Sequence, residues 1–259
     1  MRVRRFAVAV AGLATIAALA ACQNEKPAAT PGASASASAG ASAQVQASAA
    51  DALTAAGAKF KDTTVKMKMG MSGAAGIEVT GSLDGPGKKS LSSMKMGVAG
   101  TNMNIDVVQI GDEVWMKMAG VPALPKDWMH VDTAKLGAAS SLRSSIEDPS
   151  YSANLLKVAS SVEWDGTSKI KGTLDLSKAA GANAAAATAL GEQAKAVPFT
   201  ATLDEQGRLL TMTVGMGQVA SAAGVGDMVI TYSNYGEPVT IEKPSGKIVE
   251  APASILGSL

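Results

Sequence analysis

The sequence predicts an α+β domain built on one antiparallel sheet. Three observations carry this. Period-two alternation recurs from residue 65 to 118 and again after 199; short Gly- and Asp-containing turns separate the runs; and helical patterns gather at the start and middle of the domain. Such a sheet either packs its apolar face on the helices or curls around something else. Alternation alone does not choose between the two.

The chain opens with Met-Arg-Val-Arg-Arg-Phe, followed by an apolar stretch from Ala7 to Ala21. A basic start followed by a short apolar run reads as a secretory signal, too short and alanine-rich to span a bilayer. It closes with Leu19-Ala20-Ala21-Cys22, which resembles the bacterial lipobox. The resemblance implies cleavage before Cys22 and a diacylglycerol on its sulfur. Cys22 is the chain's sole cysteine, so intramolecular disulfides, thiolate metal sites and cysteine nucleophiles are excluded. Two acyl chains suffice for stable anchoring. The expected location is the extracytoplasmic face of the cell membrane, lipid-anchored.

Loss of residues 1–21 removes Arg2, Arg4 and Arg5, leaving 20 basic against 22 acidic residues and a formal charge of −2. That balance leaves no electrostatic footprint for nucleic acid. Residues 22–50 then form the lipidated Cys and a tether of Ala, Ser, Gly and Pro. Such a composition cannot bury enough apolar surface to offset its backbone entropy. As a flexible coil it spans roughly 30 Å on average.

Residues 51–259 remain as one domain. Asp51 to Phe60 reads as a helix capped by Asp51, with Leu53, Ala56 and Phe60 on one face. Strands follow at Val65–Met71, Ile77–Gly81, Met94–Val98, Met103–Val107 and Val114–Met118, with turns at Asp84–Gly87, Gly100–Asn102 and Gly111–Asp112. Lys126 to Asp132 is a further strand. Asp148-Pro149 starts a helix with Tyr151, Leu155 and Ala159 on one face. Extended segments return at 162–164 and 169–176. Ser177 to Lys195 is alanine-rich with Leu190 as its one large apolar residue, and reads as a helix. The last strands are 199–203, 209–214, 228–232 and 239–241, with a turn at 204–207.

Thirteen Met against nine aromatic residues is the oddest feature of the composition. Met67, Met69, Met71, Met94, Met96, Met103, Met116 and Met118 recur at strand spacing. Met is flexible and polarizable and suits a surface that accepts variable apolar partners. The stripes read either as packed core or as the lining of an apolar cavity. Copper is not expected, because no His or Cys partner lies nearby. Trp115 alternates with Met116 and so faces away from the Met stripe, as a packing anchor. Packing is also the expected role of Trp128.

His130 is the sole histidine, and no Gly-x-Ser-x-Gly motif accompanies it. Glu113, Asp127, Asp132 and Asp165 show no spacing that singles out a catalytic pair. Gly85-Pro86-Gly87-Lys88-Lys89 lacks the P-loop pattern and reads as a solvated hairpin turn. No enzymatic activity, metal or cofactor is expected.

The order of elements resembles the LppX/LprG family of envelope lipoproteins, which share the LolA-like fold. The resemblance rests on the opening helix, the Met/Val strands, Asp112-Glu113-Val114-Trp115-Met116-Lys117, Lys126-Asp127-Trp128-Met129-His130-Val131 and Lys171-Gly172-Thr173-Leu174-Asp175-Leu176. The Val197-to-Leu209 hairpin and Tyr232-Ser233-Asn234-Tyr235-Gly236-Glu237-Pro238-Val239 follow the same pattern. It implies a strongly curved half-barrel with two or three helices on its concave side. The space between would hold acyl chains of a lipid or lipoglycan, lined by the eight Met residues named above. The implied partners are the membrane through Cys22, that ligand and an envelope transporter. The alternative is a structural lipoprotein without a cavity that binds another envelope protein.

Overall fold

Ser48 starts the fold. Its Oγ accepts the Asp51 N–H at 3.1 Å and donates to Asp51 Oδ2 at 2.6 Å, a cap that satisfies two groups at the start of helix α1 (Ala49–Ala58). The expected cap, Asp51, therefore sits in the first turn instead. The computed structural model of the chain describes residues 47–73, 76–98, 101–136, 149–150, 153–179, 190–220 and 225–252, with isolated positions 143, 146, 188 and 256. The expected signal peptide, Cys22 and most of the expected tether lie outside the described residues.

After α1 and a 3-10 turn (Lys59–Asp62), five strands follow with short connections: β1 (Thr64–Gly73), β2 (Ile77–Asp84), β3 (Lys89–Val98), β4 (Thr101–Ile110) and β5 (Glu113–Ala119). Next come β6 (Trp128–Val131), helix α2 (Ala153–Leu156), β7 (Ala159–Trp164), β8 (Lys169–Leu174), β9 (Val197–Leu203) and β10 (Leu209–Val214). Helix α3 (Met216–Ala220), β11 (Val225–Ser233) and β12 (Ile248–Glu250) complete the described elements. The twelve described strands form one open sheet in the order β12-β6-β5-β4-β3-β2-β1-β11-β10-β9-β8-β7.

The fold class is α+β, but the sheet is mixed rather than wholly antiparallel. β12 runs parallel to β6, with Ile248 opposite Trp128 and Glu250 opposite His130. A parallel pair cannot be closed by a tight hairpin; here residues 234–247 carry the chain from β11 to the margin of the sheet beside β6. Asn234, at φ 57°, and Gly236, at φ 79°, turn the chain out of β11. Among non-glycine residues Asn is one of the few that tolerate this left-handed region. The Gly236 N–H donates to the Thr64 carbonyl at 2.9 Å, pinning the start of this strap to β1.

The strap corrects one expected strand. Val239 and Ile241 do alternate toward a buried surface, but they pack on the outer face beside Val108 and Trp115 and join no ladder. The expected helix from 177 to 195 also differs. Leu176–Lys178 is a 3-10 turn, Ala179 is extended, Thr188 and Leu190 are helical, and Gly191–Ala196 is again 3-10. Residues 180–187 and 189 lie outside the described residues. Ala159, expected on the second helix, opens β7 instead.

The main core joins α1, α2 and α3 to β1, β2 and β8–β11. Leu53, Phe60, Leu155, Ile170, Leu174, Phe199, Met212, Met216 and Ile230 are all buried there. Phe60 packs on the ring of Tyr232 at 4.8 Å between centroids. Helices α1, α2 and α3 thus serve the same face of the sheet.

Candidate ligand trough and outer-face cluster

The strand registers place all eight candidate Met residues on that one face. One row runs Met69, Val79, Met94, Ile105, Met118, and the next runs Met71, Ile77, Met96, Met103. On the other side lie Met67, Gly81, Ser92, Val107, Met116, and then Val65, Leu83, Ser90, Gln109, Val114. Side chains two residues apart share a face of the pleat, so these rows form one surface.

Among the described residues the surface is not uniformly covered. The main core reaches across the sheet as far as Val79 and Leu83 on β2. A second, smaller core of Val114, Met116, Val131 and Leu136 begins beyond it, with Ile105, Val107 and Met118 packed alongside. Strand β3 lies between the two. Its inward residues are Ser90, Ser92, Met94 and Met96, all half-buried. Met94 leans on the main core, whereas Met96 and its partner Met103 belong to neither cluster.

The eight Met residues therefore separate. Met69 and Met116 are built into the packed cores, at 6% and 3% exposure. Met67, Met71, Met94, Met96, Met103 and Met118 are half-buried. The strip along β3 from Ser90 to Met96 is about 20 Å long, and β2 to β4 spans about 10 Å. Small residues at Gly81, Ser90 and Ser92 keep its floor low at one end. There Ser90 Oγ donates to Gln109 Oε1 at 3.1 Å, and Gln109 Nε2 donates to the carbonyls of Gly111 and Ile146, each at 3.2 Å. These bonds satisfy a side chain only 8% exposed.

The opposite face carries a different arrangement. Trp115 is 4% exposed beneath Ile241, and Lys243 Nζ lies 5.3 Å from its ring centroid. Trp128 packs at the margin of the same small cluster. Both Trp residues thus act as packing anchors. His130 sits beside them with Nε2 2.7 Å from Glu113 Oε2 and Nδ1 3.1 Å from Glu250 Oε1. Partial burial disfavours its charged form, but the bonds to Glu250 and Glu113 outweigh this and hold its pKa above the ordinary 6.5.

The carboxylates weighed as catalytic candidates are dispersed. Asp127 pairs with Lys247 at 3.2 Å and Asp132 with Lys135 at 3.1 Å. Glu113 and Glu250 reach opposite nitrogens of one imidazole, so they cannot share a metal with it. Among the described residues no group of His, Cys, Asp and Glu side chains could hold a metal ion. No helix of the described residues is long and apolar enough to cross a membrane.

Sequence reasoning missed three features. The Met129, Met212, Met216 and Met228 side chains are buried core residues. Helix α3 and strand β12 are too short to show a period. The link of His130 to Glu250 spans 120 residues, and no local spacing reveals it. The chain matches no family model and no curated protein.

Proposed function

We infer that the chain is a lipid-anchored, extracytoplasmic lipoprotein that binds or carries an apolar ligand, the acyl chains of a lipid or lipoglycan, in the trough above β3. The observation that carries this reading is the parting of the two cores over β3 among the described residues, which leaves the Met96–Met103 pair half-buried at the apolar end of a strip whose other end carries Ser90, Ser92 and Gln109. An acyl chain laid there gains roughly 0.8 kcal/mol per buried methylene. Flexible Met side chains adapt to it without a fixed shape. The helices that serve this same face fit a half-barrel of the LolA-like kind. A tether from Cys22 would let the domain take up or present its ligand near the membrane, with an envelope transporter as its partner.

The test is native mass spectrometry with lipid extraction on the chain purified from a lipoprotein-processing bacterium. A non-covalent lipid that co-purifies, and is lost in the folded Met96→Lys and Met103→Glu variants, supports the carrier. Met69 is a poor choice for this test because it belongs to the core. A clean apo mass with no uptake of added fatty acid or phospholipid would sink the carrier and favour an interaction lipoprotein that docks another envelope protein.

A further inference from the structure

On the face opposite the trough, Glu250 on β12 lies opposite His130 on β6, and Glu113, two residues before the register partner Trp115 on β5, reaches the imidazole diagonally. An imidazolium carries an N–H on each nitrogen, whereas a neutral imidazole carries only one. Both carboxylate contacts are therefore hydrogen bonds only while the ring is protonated. In the neutral ring one carboxylate faces a lone pair.

The mechanical setting gives this chemistry a consequence. β12 has three residues, pairs with β6 at the margin of the sheet, and ends the strap that returns from β11. The strap's near end is held by separate contacts: Tyr235 stacks on Phe60, Arg208 lies 4.8 Å over the Tyr235 ring, and Gly236 bonds to Thr64. Its middle lays Ile241 over Val108 and Trp115. Its far end is held by the short ladder, the Ile248 side chain, the Lys247–Asp127 pair at 3.2 Å, Glu250, and Ala251, whose N–H donates to the His130 carbonyl at 2.9 Å and whose side chain packs on the second core.

We propose that Glu113, His130 and Glu250 form a proton-operated latch on this strap, closed while the imidazole is protonated and loosened when it is neutral. Loosening frays β12 from β6 and uncovers the apolar outer surface around Trp115. Besides Glu113 on β5 and Glu250 on β12, the charges near the ring are few. Asp132, which follows β6 and is itself bonded to Lys135, favours the imidazolium. Lys243, on the strap above the Trp115 ring, opposes it, as does Lys117 further along the same face of β5. A group whose pKa is raised on folding contributes its full stabilisation below its unfolded value, here about 6.5. The contribution is lost as pH rises through the folded value. The latch therefore opens toward higher pH.

His130 is the chain's only histidine, so its imidazole signals are unambiguous by NMR. The experiment follows those signals and the amide hydrogen exchange of residues 248–250 across pH 5 to 9 in the full chain, with exchange corrected for its intrinsic pH dependence. The expected result is a drop of about fivefold in β12 protection, centred on the imidazole midpoint and above the ordinary histidine value. Glu250→Gln should lower that midpoint. His130→Arg, which keeps a fixed charge and donors, should hold the protected level at every pH, and His130→Gln should remove the step. Protection that stays flat while the imidazole titrates, or a step that survives in His130→Gln, would overturn the latch.

Discussion

Met96 and Met103 face each other across the β3–β4 ladder, and among the described residues neither is part of a packed core. Met69 lies on the same face, two strands away from β3, and is buried within the main core. Side chains of identical chemistry thus occupy two energetic settings. Met69→Ala should destabilise the chain by about 2–5 kcal/mol through lost burial and a cavity. Met96→Ala and Met103→Ala should each cost less than about 1 kcal/mol, since their surroundings are already open. Urea unfolding of the three variants checks this, and equal losses would mean that the β3 strip is ordinary core.

Asp204 organises the turn between β9 and β10. Its Oδ1 accepts the backbone N–H groups of Gln206 at 3.0 Å and Arg208 at 2.8 Å, and its Oδ2 accepts Arg208 Nε at 2.6 Å. Burial raises its pKa, but the Arg208 backbone and guanidinium bonds outweigh this and hold it below the usual 3.8. A depressed carboxylate contributes stability above its unfolded pKa and loses it as pH falls through the folded value. Asp204→Asn should therefore destabilise the protein at pH 7 by about 1–3 kcal/mol. It should also flatten the loss of stability below about pH 4. Denaturation midpoints measured from pH 7 down to pH 2.5 would show both effects.

The sheet was legible because its strands are long, alternate strictly and are joined by short turns. Val65 to Met71 and Val114 to Met118 fall within strands as expected, and Trp115 takes the face opposite Met116. Val239 and Ile241 misled for a physical reason: a segment crossing a sheet face buries alternate residues without any ladder. The division of Met69 from Met96 was not legible, since it depends on which elements cover each strand. The contact of His130 with Glu250 depends on a parallel pairing between strands far apart in the chain, and three residues of β12 are too few to signal it.

Gly85 is the position where the hairpin turn meets the start of the fold. A Cβ there would lie 2.1 Å from the Phe60 carbonyl oxygen and 2.7 Å from the Lys61 backbone. Neither neighbour is a flexible side-chain tip, so the backbone must move. The Gly85 N–H also donates to the Thr63 carbonyl at 3.0 Å, tying the β2–β3 turn to the chain entering β1. Gly85→Ala should cost about 1–3 kcal/mol. Gly111→Ala makes a useful contrast: nothing lies near its Cβ, but its φ of 60° strains any L side chain. Thermal unfolding of the pair would separate crowding from backbone strain, since Gly111→Asn should recover stability and Gly85→Asn should not.

The strap makes the outer face a second place where the fold can be tested. Trp115 and Ile241 bury each other at 4% and 5% exposure, with Val108 beneath. Lys243 adds a cation over the indole at 5.3 Å, near the surface. Truncating the aromatic removes a large buried area, so Trp115→Ala should cost about 3–5 kcal/mol. Lys243→Met keeps most of the apolar stem and loses the cation, so its cost should stay near 0.5–1 kcal/mol. If the strap is seated by Trp115, Ile241→Ala should be costly in the wild-type background and much less so once Trp115 is gone. A double-mutant cycle by urea unfolding measures that difference. Strict additivity would mean that Ile241 is buried independently of the indole, and that residues 237–247 are held by their ends alone.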